Sequence, residues 1–180
     1  MIHAFSLLAD SSACDNSPLD ISLVIDRTQS VGANNYDRML DAVKKLISQF
    51  KVGEDQTHFS IITYAGDPEL RVKLNDKKYH SNEELEKLFD YMKENDKLGT
   101  PTRTDKALTT VAEKVFVSEN GDRPNSPNVM IIFTDGNTNP KSESYDIVVP
   151  KLEVSSLLFL TYLSQLSIYC SLYTFINYND

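Results

Sequence analysis

Short β-branched runs alternating with longer amphipathic stretches constrain this chain more than any other feature, because a parallel sheet covered by helices accommodates that alternation directly. Ile21-Ser22-Leu23-Val24-Ile25 and Val129-Met130-Ile131-Ile132-Phe133 read as strands, the first of them central and buried. Between them, 34–50 carries Met39, Leu40, Val43, Leu46, Ile47 and Phe50 at one-face spacing, with Asp37, Asp41, Lys44 and Lys45 turned outward. That pattern predicts a helix stopped near Gly53. Residues 59–64 predict another strand, and 70–74 an edge strand of alternating apolar and polar residues. The spacer 65–69, with Gly66 and Pro68, is too short for a crossover helix, so these two strands must pair antiparallel. Ser81 with Glu84 three residues on is a capping-box pattern for a helix through Leu85, Leu88, Phe89 and Met92. Further helices are expected over 104–117 and 144–152, the latter with Pro150 near an end or at a kink.

A length of 180 residues suits one domain with a real core. The composition, 41% hydrophobic and 24% charged, is that of a globular chain. A net charge of -8 argues against a nucleic-acid partner, which needs clustered Lys and Arg. Cys14 and Cys170 belong to no zinc-type cluster, and a disulfide between them and two separate thiols both remain open. Residues 1–17 form a lead segment whose apolar patch has no preceding Lys or Arg, a poor signal peptide. Residues 18–153 form the domain. Over 154–179 there is no Asp, Glu, Lys or Arg, and three readings fit the tail 154–180: last elements of the sheet, an altered chain end, or a marginal membrane span.

Candidate site residues cluster where strands end. Asp26 follows the first apolar run, with Thr28 and Ser30 at alternate positions beyond it. The other run ends in Thr134-Asp135-Gly136, and Thr102 sits in a Thr-rich loop just before a helix. In a doubly wound sheet such positions share the carboxyl edge, where ligands bind. Two carboxylates with three hydroxyls are oxygen donors of the kind that suit Mg2+ or Mn2+ and leave room for an outside carboxylate. Thr104 and Asp105 read as helix-start residues, and His3, His58 and His80 as surface or strand histidines.

Those residues, taken in order, resemble the von Willebrand factor type A domain, or integrin I domain. Its metal-ion-dependent adhesion site combines Asp-x-Ser-x-Ser, a Thr in a Thr-x-Thr stretch and the Asp of Thr-Asp-Gly. The resemblance runs from about Cys14 to Glu153 and places the family's metal ligands on Asp26, Thr28, Ser30, Thr102 and Asp135. Thr28 stands where the family usually has Ser, and Arg27 where it usually has a small residue. After the last site loop the family continues with a helix, a Val-rich strand and a final helix; the uncharged tail stands in their place. The resemblance implies an α/β fold, a doubly wound, mainly parallel sheet with one antiparallel edge strand and helices on both faces. It implies a secreted or extracellular adhesion module, tethered to a membrane only if the tail spans one. Its partner would be a matrix or cell-surface protein that offers Glu or Asp to the cation.

Two other functions remain open on these residues: a metal-independent interaction domain with a vestigial site, and a Mg2+-dependent hydrolase. The chain has no Asp-x-Asp after the first strand, no Gly-rich phosphate loop and no Gly-x-Ser-x-Gly elbow, so it is not expected to be an enzyme.

Overall fold

The computed structural model describes residues 18–136, 138–153 and 158–163. The lead segment, Cys14, Cys170 and any bridge between them lie outside the described residues. In chain order the elements are β1 (Asp20–Asp26), α1 (Ala33–Ile47), β2 (His58–Tyr64), β3 (Pro68–Val72), α2 (Asn82–Asn95), α3 (Thr104–Thr110), β4 (Asn128–Thr134), α4 (Tyr145–Glu153) and β5 (Leu158–Leu163). The strands form one sheet in the order β3-β2-β1-β4-β5. All neighbours are parallel except β2 and β3, which pair antiparallel as the short spacer between them requires. β5 falls within the uncharged stretch 154–179, the rest of which lies outside the described residues. Among the described residues no helix is long and apolar enough to cross a membrane.

Alternation along each strand sorts side chains onto two faces. Ile21, Leu23 and Ile25 of β1 pack with Met39, Leu40 and Val43 of α1 and with Leu85, Phe89 and Met92 of α2. Val24 points the other way, with Ile62, Tyr64, Met130 and Ile132, onto Ala107, Leu108 and Val111 and onto Val148 and Leu152 of α4. Every residue of β1 and β2 is buried, and each such apolar side chain contributes about 1.5–3 kcal/mol. Helices on both faces explain why these two strands are buried along their whole length, polar residues such as Ser22 and Ser60 included.

Several local signals act as read. Ser81 is the N-cap of α2, its hydroxyl accepting from the Glu84 main-chain N–H at 3.2 Å. Pro150 lies in the last turn of α4. The helix expected over 104–117 is shorter: α3 stops at Thr110 and passes into a π-helical turn, Val111–Val115, ahead of a 3-10 turn at Ser118–Asn120. Val111 and Val115 stay in the core through the π turn.

Candidate metal-binding site at the carboxyl edge

β1 lies between β2 and β4, so crossovers leave its two sides and open a crevice at its carboxyl end. Asp26 pairs in register with Tyr64, and Ile25 with Phe133, which puts Thr134 beside Asp26 on the third strand. By strand alternation Asp26, Tyr64 and Thr134 all project toward α3. The Thr134 hydroxyl donates to Asp26 Oδ2 at 2.8 Å and the Tyr64 hydroxyl to the same oxygen at 3.3 Å. Thr104, at the start of α3, shares a 3.2 Å hydrogen bond with the Tyr64 hydroxyl. The Gly136 main-chain N–H donates to Thr134 Oγ1 at 3.1 Å, across a turn that needs a φ of 85° at Gly136.

The other carboxylate oxygen of Asp26 accepts the Thr28 main-chain N–H at 3.0 Å, which curls the chain back over the strand end. That curl brings Thr28 Oγ1 to 2.8 Å from Ser30 Oγ. Gly99 pins the loop from the other side: its N–H donates to Arg27 O and its carbonyl accepts the Gln29 N–H, both at 2.9 Å. A Cβ on Gly99 would lie 2.9 Å from Ala65 Cβ, so only glycine allows this approach. Thr102 is held by its carbonyl, which accepts the Asn139 N–H at 2.9 Å and the Thr138 hydroxyl at 3.4 Å.

Three loops thereby line an open pocket of about 320 Å³. Thr28 and Ser30 line it from the first loop, Thr100 and Thr102 from the second, Thr138 and Asn139 from the third. Of the five sequence-derived candidates, the structure brings Thr28, Ser30 and Thr102 around this pocket. Asp26 is fully buried at the base of the Thr28 curl, and Asp135 directly follows Thr134. Burial pushes the Asp26 carboxyl above its ordinary range, against hydrogen bonds from Thr28 and Thr134 that lower it; the Asp135 charge adds to the upward push. A cation would offset that unfavourable negative charge. Among the described residues no three His, Cys, Asp or Glu side chains group as metal ligands, so a cation here would have to draw on hydroxyls. The oxygen-only set fits a hard divalent ion.

Sequence reading missed the supports. Tyr64 and Thr134 hold Asp26 in place and Thr104 holds Tyr64; Thr134 stood in the Thr134-Asp135-Gly136 stretch and Thr104 read only as a helix start. Asp105 does sit in the first turn of α3, where it accepts both Arg103 Nε at 2.8 Å and Arg103 Nη2 at 2.6 Å, and the Glu143 N–H at 3.0 Å. Arg103, next to Thr102, is thereby turned onto a carboxylate that itself ties the start of α3 to the third loop through the Glu143 N–H.

A family model described as von Willebrand factor type A domain matches residues 20–161. Matrilin-3 of Gallus gallus is 29% identical over 139 residues, which cover 76% of this chain and 30% of that protein. Integrin alpha-X of Mus musculus is 28% identical over 145 residues, covering 81% of this chain and 12% of that one. The chain thus spans less than a third of either relative. Among solved structures, proximal thread matrix protein 1 from the mussel byssus, with a zinc-occupied MIDAS motif, superposes with a TM-score of 0.71 at 22% identity, over 82% of this chain and 38% of that one.

Proposed function

Because the chain belongs to the von Willebrand factor type A domain family, we propose that it is a metal-ion-dependent adhesion module. Asp26, Thr28, Ser30, Thr102 and Asp135 would hold Mg2+ or Mn2+, directly or through water. When bound, the cation supplies an electrophilic centre open to a carboxylate from outside. Thr134, Tyr64 and the Thr28 main chain fix Asp26, so that its charge needs no reorganisation when ligand arrives. The neutral hydroxyls leave that centre less quenched than a ring of carboxylates would. The observation that carries this reading is the Thr28–Ser30 hydroxyl pair, 2.8 Å apart, lining a pocket directly beyond a buried and anchored Asp26.

The partner is a matrix or cell-surface protein presenting Glu or Asp. The chain works outside the cell. It performs no catalytic step. Similarity to matrilin-3 and integrin alpha-X supports the adhesive and matrix setting, and the metal-occupied mussel structure supports a divalent ion.

Acetate, with acetamide as control, tests the reading by NMR. In Mg2+ buffer acetate should shift the amides of Thr28, Ser30 and Thr102, and the shifts should vanish with EDTA or in Asp26→Ala and Asp135→Ala. Equal shifts with and without EDTA would point to a metal-independent interaction domain instead.

A further inference from the structure

At the opposite end of the same two strands, six residues and about 20 Å from Asp26 and Tyr64, β1 and β2 begin with Asp20 paired in register to His58. Alternation puts both side chains on the face that carries α3. The His58 ring stacks on His80, centroids 3.9 Å apart and planes 18° from parallel. His58 Nε2 lies 2.9 Å from Glu54 O, and His80 Nε2 lies 2.8 Å from Leu74 O. A carbonyl can only accept, so both Nε2 atoms carry hydrogens. In neutral rings both Nδ1 atoms are then bare acceptors, and both are buried with no hydrogen-bond partner.

Beside them runs a clasp. Arg123, in the 121–127 connector before β4, donates from Nε at 2.9 Å to Asp20 Oδ1 and from its main-chain N–H at 2.8 Å to Oδ2. Its Nη1 and Nη2 reach Gln56 O at 2.8 Å and Leu19 O at 2.9 Å. Asp20 is fully buried, so this one carboxylate matches this one guanidinium. His58 Nδ1 stands 4.0 Å from Asp20 Oδ1, the oxygen Arg123 already uses.

We propose that the His58–His80 stack is a proton-operated latch: a proton taken up at His58 Nδ1 competes with Arg123 for Asp20 and frees the 121–127 connector. The groups facing His58 set the direction. Arg123 from the connector and His80 across the stack oppose a positive charge there, and burial opposes it more strongly than either. The Glu54 carbonyl, which accepts from Nε2, and Asp20 from β1 favour it less strongly than burial opposes it, and the Asp20 carboxylate is already matched. Glu54, the other carboxylate facing the pair, holds Lys77 at 2.8 Å. His58 is accordingly held below the ordinary histidine range of 6.5. The latched form thus binds the proton more weakly than the released form, in which His58 is ordinary. Acid favours release, in a window that opens at 6.5 and closes at the lowered latched value. Within it each pH unit shifts the equilibrium by up to about tenfold.

Amide hydrogen exchange of the whole chain, corrected for intrinsic rates, tests the latch. Between pH 7.5 and 5.5, residues 121–127 and 54–58 should lose protection several-fold while α1 and α2 do not. His58→Gln, whose amide can still donate to Glu54 O, should abolish the dependence. His80→Gln should move its midpoint upward, and reads the latch even if the first variant fails to fold. Protection of 121–127 that stays level across this range, or an unchanged midpoint in His80→Gln, would overturn the proposal.

Discussion

Thr134 and Asp26, 108 positions apart in the chain, meet through a 2.8 Å hydrogen bond that joins the ends of β4 and β1. That bond gives a buried carboxylate a fixed orientation before any ligand arrives.

Thr134→Val keeps the side-chain shape but removes a donor to Asp26 and an acceptor for Gly136 N–H. Loss of a hydrogen bond to a buried charge costs about 1.5–3 kcal/mol. Urea unfolding should show that loss, together with weaker Mn2+ binding.

The Asp26 carboxyl is raised above its usual 3.8 in the fold. A raised carboxyl favours the neutral form, so its contribution to stability is full below 3.8 and is lost as pH rises through the folded value. Metal-free protein should therefore lose part of its stability between pH 4 and pH 7, and Asp26→Asn should not. Thermal melts in EDTA across that range compare the two.

Asp105 behaves with the opposite sign. Arg103 and the Glu143 N–H hold its carboxyl well below the usual 3.8. Its contribution is present above 3.8 and is lost as pH falls through the folded value. Asp105→Asn should cost about 1–3 kcal/mol at pH 7 by urea unfolding and narrow the gap to wild type in acid. It should also weaken metal binding, since Asp105 joins the Thr102 loop to the 138–143 loop.

Gly99→Ala places a methyl 2.9 Å from Ala65 Cβ, with no flexible side chain to yield. Overpacking of this kind costs about 1–3 kcal/mol. Because Gly99 pins Arg27 and Gln29, the variant should also shift the amides of Thr28 and Ser30 in NMR spectra.

How much of this could be read from the chain depends on where the information sits. β1 and β4 are legible because strands covered on both faces carry short, mostly apolar β-branched runs. The α2 start is legible because the Ser81 cap lies within four residues. That Thr28, Ser30 and Thr102 line one pocket is legible because each follows a strand end or precedes a helix. The supports are not, since the meeting of Tyr64 with Asp26 depends on register between β1 and β2, and that of Thr104 with Tyr64 on where α3 begins. The early end of α3 is also hidden, because Val111 and Val115 fit an α-helical face as well as the π turn they adopt. Leu158–Leu163 forms β5 from a stretch whose composition matches its flanks, so no local break marked it. The His58–His80 stack joins a strand start to a loop 22 positions away in sequence, and no spacing rule connects the two.

Mn2+ titration of the whole chain, followed by water-proton relaxation with Mg2+ as competitor, tests the central claim most directly. One saturable site displaced by Mg2+, and lost in both Asp26→Ala and Asp135→Ala while each variant keeps its fold by circular dichroism, is the predicted result. Unchanged Mn2+ stoichiometry and affinity in the folded double variant would contradict it.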